Sequence, residues 1–414
     1  MSGVSTAFRY REFRGLWATR ALSLLGDQVA RVALSVLVFD RTHSAALTAL
    51  AYALTFLPYL AGPVFAGAGD RRPRRSVLLA IDALRAVIVG VIAIPGVPLL
   101  AVCALLVVVT AVSPVYDAAR GALLPELIPD EIYPQGLAAF TVTTEAAQVV
   151  GFAVGGVLVA AVGASAALVL DATTFAASFV ILATTIRLRP AAMTTRESRR
   201  EQLAGAVGLV RRSRWLRAML CLAWLNALWM LPEGIAVPYA ATLGGGPRTA
   251  GLLLAAIPAG AVVGAVAVAR WTTYEQRIRL LGPMVLVAAV PLIGAAARPG
   301  IAGVVTLWAL CGVGTAYNVG ANAGFVQAVP NGRRSQAIAL VTTGMVAGQG
   351  LAVLVGGIAA SYVSPGTVVA AAGVVGTVAG VVLLATTLRP RRVIDLVERA
   401  TTVPPVEGRE LVEV

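Results

Sequence analysis

The chain has 414 residues, 58% of them apolar and 13% charged, against roughly 25% charged in a soluble domain. A mean hydropathy of +0.84, together with 42 Gly and 22 Pro, excludes a water-soluble globule and predicts many lipid-spanning helices, where both breakers are commoner than in soluble ones. All 33 basic residues are arginine, so a P-loop and Schiff-base chemistry, each of which needs a lysine, are excluded as well.

A hydrocarbon core of about 30 Å takes roughly 20 apolar residues per helix. Twelve such runs follow along the chain: 16–39, 46–69, 76–95, 97–117, 136–162, 165–187, 217–242, 249–270, 278–297, 300–326, 335–361 and 365–387. Residues 1–15 are charged but carry no cleavable signal pattern, so the first run is expected to stay as an anchor. The polar stretch 188–216 divides the runs six and six. It is expected to be a solvated linker, with a surface helix from Glu201 to Arg217 as the alternative. The tail 388–414 is too short for a core and is expected to be disordered. The predicted fold is all-α and membrane-integral: a six-helix bundle over 1–187, the linker, and a second six-helix bundle over 217–387.

Arginine placement sets the expected topology. On one side fall Arg9, Arg11 and Arg14, the four between Arg71 and Arg75, Arg120, nine from Arg187 to Arg217, Arg270, Arg277 and Arg279, Arg333 and Arg334, and five from Arg389 to Arg409. The other side holds Arg41, Arg248 and Arg298, while Arg20, Arg31 and Arg85 lie inside runs. The positive-inside rule then puts both termini in the cytoplasm of a multi-pass protein of the cell membrane. The formal charge of +13 follows the membrane, so no nucleic-acid partner is expected. His43, Cys103, Cys221 and Cys311 show no metal-ligand spacing, and no metal or cofactor is expected.

Between the second and third runs stands Ala66-Gly67-Ala68-Gly69-Asp70-Arg71-Arg72-Pro73-Arg74-Arg75. It resembles the Gly-x-x-x-Asp-Arg-x-x-Arg-Arg signature of the major facilitator superfamily, with Ala66 in place of the leading Gly and Gly67 beside it. The resemblance implies an inner gate in which Asp70 pairs with arginines and a helix N-terminus when one side is closed and releases them on opening. Arg71, Arg74 and Arg75 belong to it, and Asp117 with Arg120 resembles its partner. The loop Ala269 to Arg277 keeps the arginines and lacks the Asp, as a parallel repeat allows.

Further stretches are similar to the branch holding the enterobactin exporter and macrolide-efflux proteins: Leu25-Gly26-Asp27-Gln28, Asp82-Ala83-Leu84-Arg85-Ala86, Pro114 to Arg120 and Leu123 to Pro129. In the fifth run, Ala147 followed by Gly151, Phe152, Gly155 and Gly156 resembles the superfamily's antiporter motif, with Phe152 replacing its Pro. Close helix packing through Gly151, Gly155 and Gly156 explains the same pattern.

Ionisable groups inside the runs cost roughly 2.5–3.5 kcal/mol each on insertion scales and therefore face a cavity or a partner. Asp27 and Arg31 lie four apart and are expected either to neutralise each other or to serve cargo or protons. Asp82 and Arg85, three apart, read as a clamp. Glu145, Asp171 and Glu233 have no basic neighbour at helical spacing. Asp27, Arg31, Glu145 and Glu233 are the candidates for proton coupling. Residues 98–116 of the fourth run contain no charge, so the run lacks the mid-helix arginine that many efflux members of the superfamily carry.

The expected cavity lining is aromatic and polar: Trp224, Asn226, Trp229, Trp308, Tyr317, Asn318, Asn322 and Gln349, with Glu233 among them. Aromatic faces and sparse acids suit amphipathic or cationic cargo. The resemblance implies a monomeric secondary transporter that expels an amphipathic small molecule in exchange for protons, with an uptake symporter or lysophospholipid transporter as rivals. A membrane-embedded lipid-modifying enzyme would need an acid cluster such as Glu126, Asp130 and Glu131 and stands as a remote alternative.

Overall fold

The computed structural model of the chain describes residues 4–56, 72–189, 213–329 and 334–386. Helices run through all four stretches: α1 (Val4–Ala7), α2 (Arg11–Thr42), α3 (Ala45–Leu54), α4 (Arg74–Ile92), α5 (Leu99–Ala111), α6 (Ser113–Leu123), α7 (Tyr133–Val162) and α8 (Ala164–Thr185) form a first set. The second set comprises α9 (Arg214–Leu225), α10 (Leu231–Gly234), α11 (Ala236–Thr242), α12 (Pro247–Trp271), α13 (Tyr274–Ile293), α14 (Ile301–Gly314), α15 (Tyr317–Ala328), α16 (Arg334–Ala359) and α17 (Pro365–Thr386). Among the described residues there is no strand.

Among the described residues ten stretches are long and apolar enough to cross a membrane. The other two expected runs fall short for separate reasons. Of the second run only α3 and two further residues are described, and α4 carries Arg74, Arg75, Asp82 and Arg85 within its 19 residues. The expected linker over 188–216 and tail over 388–414 lie almost wholly outside the described residues, as do Gly67, Asp70 and Arg71.

Local chemistry explains where the helices start and stop. Ser44 and Ser213 accept from the backbone N–H groups of Leu47 and Leu216 at the starts of α3 and α9, and Thr273 forms a reciprocal capping box with Gln276 at the start of α13. Gly163, at φ +84°, alone joins α7 to α8, a conformation that residues bearing a Cβ avoid. Pro258, Pro283 and Pro291 stay inside α12 and α13, as neighbours in a membrane bundle allow.

Helix alternation gives the bundle two faces. The proximal face carries the start of α2 and the segments 72–73, 124–132, 186–189 and 272–273; the distal face carries 43–44, 93–98, 243–246 and 360–364. Within the first set α2 packs on α3, α7 and α8, and α4 on α6 and α8; within the second, α12 packs on α14 and α13 on α14, α15 and α17. The two sets meet along α7 with α12 and along α3 with α16. A Cβ at Gly156 would lie 2.7 Å from the Gly251 Cα, so α7 and α12 touch backbone to backbone. Val87, Val142, Val263, Leu351 and Val378 are each about 60% exposed, the outward apolar surface of a bundle solvated by lipid.

Candidate functional site

Within the first set, α2, α4, α5, α6 and α8 enclose a cavity of about 90 Å³ whose polar wall consists of Asp27, Arg31, Thr55, Arg85, Thr110, Ser113 and Asp171. Arg85 donates to the Ser113 Oγ at 2.7 Å, and its guanidinium lies 4.9 Å from the Tyr116 ring centre and 5.5 Å from that of Phe175. Asp82 accepts from the Ser178 Oγ at 2.6 Å. The expected clamp between Asp82 and Arg85 therefore gives way to bonds with two other helices, because Ser178 on α8 and Ser113 on α6 stand nearer the two head groups. Asp171 is 2% exposed and accepts from its neighbour Thr174 at 3.3 Å.

Arg31 turns toward the junction of the two sets. Its guanidinium lies 5.8 Å from the Tyr52 ring centre and 6.0 Å from that of Phe56. The Tyr52 hydroxyl in turn donates to the Glu233 Oε2 at 2.7 Å, a bond between α3 and α10 that crosses from one set to the other. Glu233 is 5% exposed. It stands where the seventh run breaks into α9, a 3₁₀ turn at Leu228–Met230, α10 and α11, with Pro232 removing a backbone donor. Broken backbone at membrane depth persists where it lines a cavity or is buried in protein.

The second set gathers aromatic and amide groups. Asn318 donates to the Asn226 Oδ1 at 3.1 Å, bringing two expected lining residues together across α9 and α15. Trp229 donates to the Tyr317 hydroxyl at 3.1 Å, which donates to the Leu222 carbonyl at 3.1 Å, and both rings are about 2% exposed. Trp308, expected on a cavity wall, is instead fully buried beside Tyr239, their ring centres 6.0 Å apart. Its large apolar ring fills the interior between helices. Trp224 is 42% exposed and lies over Gly344, Asn322 is exposed and Gln349 is buried.

At the proximal face Arg74 bonds Glu126 and the Ala122 carbonyl, and Arg75 reaches the Ala183 carbonyl at 2.7 Å. Asp117 pairs at 3.4 Å with both Arg20 and Arg120, and Arg120 sits 5.1 Å from the Phe140 ring centre. Glu12 pairs with Arg189 at 2.7 Å and with Arg187 at 3.7 Å, while Arg189 also approaches Glu126 at 3.8 Å. Glu145 is half-buried on α7, away from these groups. Gly151 and Gly155 receive α2 at Gln28 and Val29.

Several contributors escaped the sequence reading. Tyr52 and the serines 113 and 178 sit in apolar runs without a distinguishing pattern. Glu12, Arg20 and Arg189 gave no motif at all. Asp171 was visible as an intramembrane acid, but nothing in its own helix pointed to Asp27.

A polytopic helix bundle with charged groups enclosed at its centre has the architecture of a major facilitator transporter. The chain matches the transmembrane secretion effector family of that superfamily over residues 2–411 and belongs to it. Among curated relatives, the multidrug efflux pump Tap of Mycobacterium tuberculosis is 30% identical over 275 residues, covering 61% of this chain and 63% of that protein, and Tap of Mycobacterium bovis matches equally. The match thus spans less than two thirds of Tap. Among solved structures, a POT family transporter in complex with 5-aminolevulinic acid has a TM-score of 0.70 at 12% identity, over 92% of this chain and 97% of its own. A bacterial homologue of the iron transporter ferroportin, in an inward-facing state, has a TM-score of 0.68 at 17% identity, over 90% and 98%. At these identities the structures share the fold alone.

Proposed function

We propose that the chain is a secondary transporter of the cell membrane that exports an amphipathic small molecule by alternating access in exchange for protons. In this reading twelve spans form two six-helix bundles joined by a cytoplasmic linker, both termini are cytoplasmic, and the protein works as a monomer. The observation that carries the reading is the Tyr52–Glu233 bond. A carboxylate buried at the junction of the two sets, held by one hydroxyl from the opposite set, must exchange partners whenever the sets rock apart. The similarity to Tap supports export.

The roles follow from position. Glu233, Asp27 and Arg31 lie toward the junction or the cavity and serve coupling, with Glu145 as a further acid. Asn226, Asn318, Trp224, Asn322 and Gln349 offer amide and aromatic contacts to cargo, while Trp229 and Tyr317 stiffen the wall behind them. Gly67, Asp70, Arg71, Arg74, Arg75, Asp117 and Arg120 form the inner gate.

The test is flux in proteoliposomes under an imposed pH gradient, with matched cationic and neutral amphipaths. Glu233→Gln is expected to weaken transport of the cationic probes more than the neutral ones, and equal loss for both rejects that selectivity. Gradient-driven flux unchanged in Glu233→Gln, Asp27→Asn and Glu145→Gln eliminates all three as coupling groups.

A further inference from the structure

The cavity of the first set contains an arrangement that motif comparison did not assign. Asp27 on α2 and Asp171 on α8 both line it. The Asp171 carboxylate lies against the backbone of α2 at Gly26, where an added methyl would overlap its Oδ1 and stand 3.3 Å from its Cγ. Gly26 is the neighbour of Asp27, so the only position on α2 without a side chain in this turn is the one that receives the second acid. Asp171 takes one hydrogen bond, from Thr174 on its own helix.

Charge counting sets what this place can hold. Asp27 and Asp171 line the cavity together with the guanidiniums of Arg31 and Arg85, while the buried Asp82 and Glu233 lie outside its lining and bond Ser178 and Tyr52. Arg85 is 5% exposed, lines the cavity, and its Nε meets no partner among the described residues. The charged groups that face Asp27 are Arg85 and Asp82 from α4, Arg31 and Arg20 from its own helix, Asp117 from α6 and Asp171 from α8; those that face Asp171 are Asp27 and Arg85. The α5 wall supplies Leu106, Val109 and Thr110 and no charge, and Glu145, the acid of α7, acts on neither. Of the cavity's two guanidiniums Arg31 lies against the Tyr52 and Phe56 rings, and Arg85 is the one that faces both acids, so keeping both carboxylates ionised side by side in a buried place is costly. A polar cavity of this volume also admits the few waters that a proton needs to reach them.

We infer that Asp171 and Asp27 form a single proton-binding unit inside the first set, one carboxyl holding the proton beside its ionised partner, with Arg85 as the counter-charge. The inference rests on the proton-coupled reading above and names the place of the coupled proton. Binding is a simple protonation: a proton arriving by water converts one carboxylate to a carboxyl group, and its release restores the second negative charge. Glu233 then senses the junction through Tyr52, while Arg31 stands between the two acids' cavity and that junction.

The test needs no cargo. Purified full-length protein in liposomes is titrated with acid and base while infrared difference spectra follow the protonated-carboxyl band. Asp171→Asn and Asp27→Asn are each expected to abolish the same band, and the double variant to remove nothing more. A band that persists in Asp171→Asn, or losses that add in the double variant, overturns the pair. If Asp171→Asn does not give a monodisperse folded protein, Gly26→Ala keeps both acids and pushes the Asp171 carboxylate away. Its band is expected to titrate at a shifted pH, and an unshifted midpoint overturns the inference. Wild-type flux that ignores an imposed pH gradient sinks proton coupling itself, a failure separate from any result in these spectra.

Discussion

In the first helix set the buried charged groups are Asp82, Arg85 and Asp171, with Asp27 and Arg31 beside them on the cavity wall; in the second set, among the described residues, Glu233 stands alone. The second set instead buries Trp229, Tyr239, Trp308 and Tyr317 and packs its helices backbone to backbone, as where Gly260 meets the Ala309 carbonyl and Gly312 the Ile257 carbonyl. Sets of similar length thus have different interiors, and the sequence already separates them, with 11 Asp and Glu in 1–187 against two in 217–387. Close packing by small residues leaves no room for water, whereas arginines and acids on α2, α4 and α8 line an open cavity. In the proposed mechanism this contrast gives charge movement to the first set and an aromatic and amide wall to the second, with the Tyr52–Glu233 bond joining them.

Three substitutions sharpen or break that contrast. The largest effect is expected from Arg85→Leu, which takes from Asp171 its facing guanidinium and leaves Arg31 as the cavity's remaining one; removing one partner of a buried charge set costs about 3–5 kcal/mol, read as a lower unfolding midpoint in detergent. A melting curve like that of the wild type would deny the first set its charged interior. Tyr317→Phe removes the acceptor of Trp229 and the donor to the Leu222 carbonyl. A loss of about 1 kcal/mol per neutral hydrogen bond is expected, well below that of Arg85, and a larger loss would show that the second set depends on polar contacts as much as the first. The smallest effect belongs to Arg187→Gln. The arginine pairs with Glu12 at 3.7 Å but its side chain is 88% exposed, so no measurable change in stability is expected, and a clear fall would mark the proximal network as structural.

The sequence carried most of the architecture. The ends of the apolar runs agree with the helices to within a few residues, for instance 136–162 against Tyr133–Val162 and 365–387 against Pro365–Thr386, since a span is fixed by the length of its own apolar segment. The break at Pro232 was not legible: the seventh run, expected unbroken over 217–242, divides into α9, a 3₁₀ turn, α10 and α11. The intramembrane acids were legible, because each stands out against its apolar neighbours. Their partners were not. Spacing along one helix joined Asp82 to Arg85, yet the folded chain gives Asp82 to Ser178 and Arg85 to Ser113.

Helical periodicity tells which residues share a face of one helix, and so the sequence by itself determined the all-helical membrane class, ten of the expected spans among the described residues and the acids that stand inside them. It says nothing of which other helix that face will meet. The meeting of Tyr52 with Glu233 and of Asn226 with Asn318 was decided by packing between segments 181 and 92 residues apart, and the placing of Asp27 and Asp171 on one cavity by the approach of α8 to α2 at Gly26. Trp308 makes the same point from the apolar side: only the assembled bundle decided that its ring would be enclosed beside Tyr239, because burial belongs to the neighbours a residue acquires and not to the residue type.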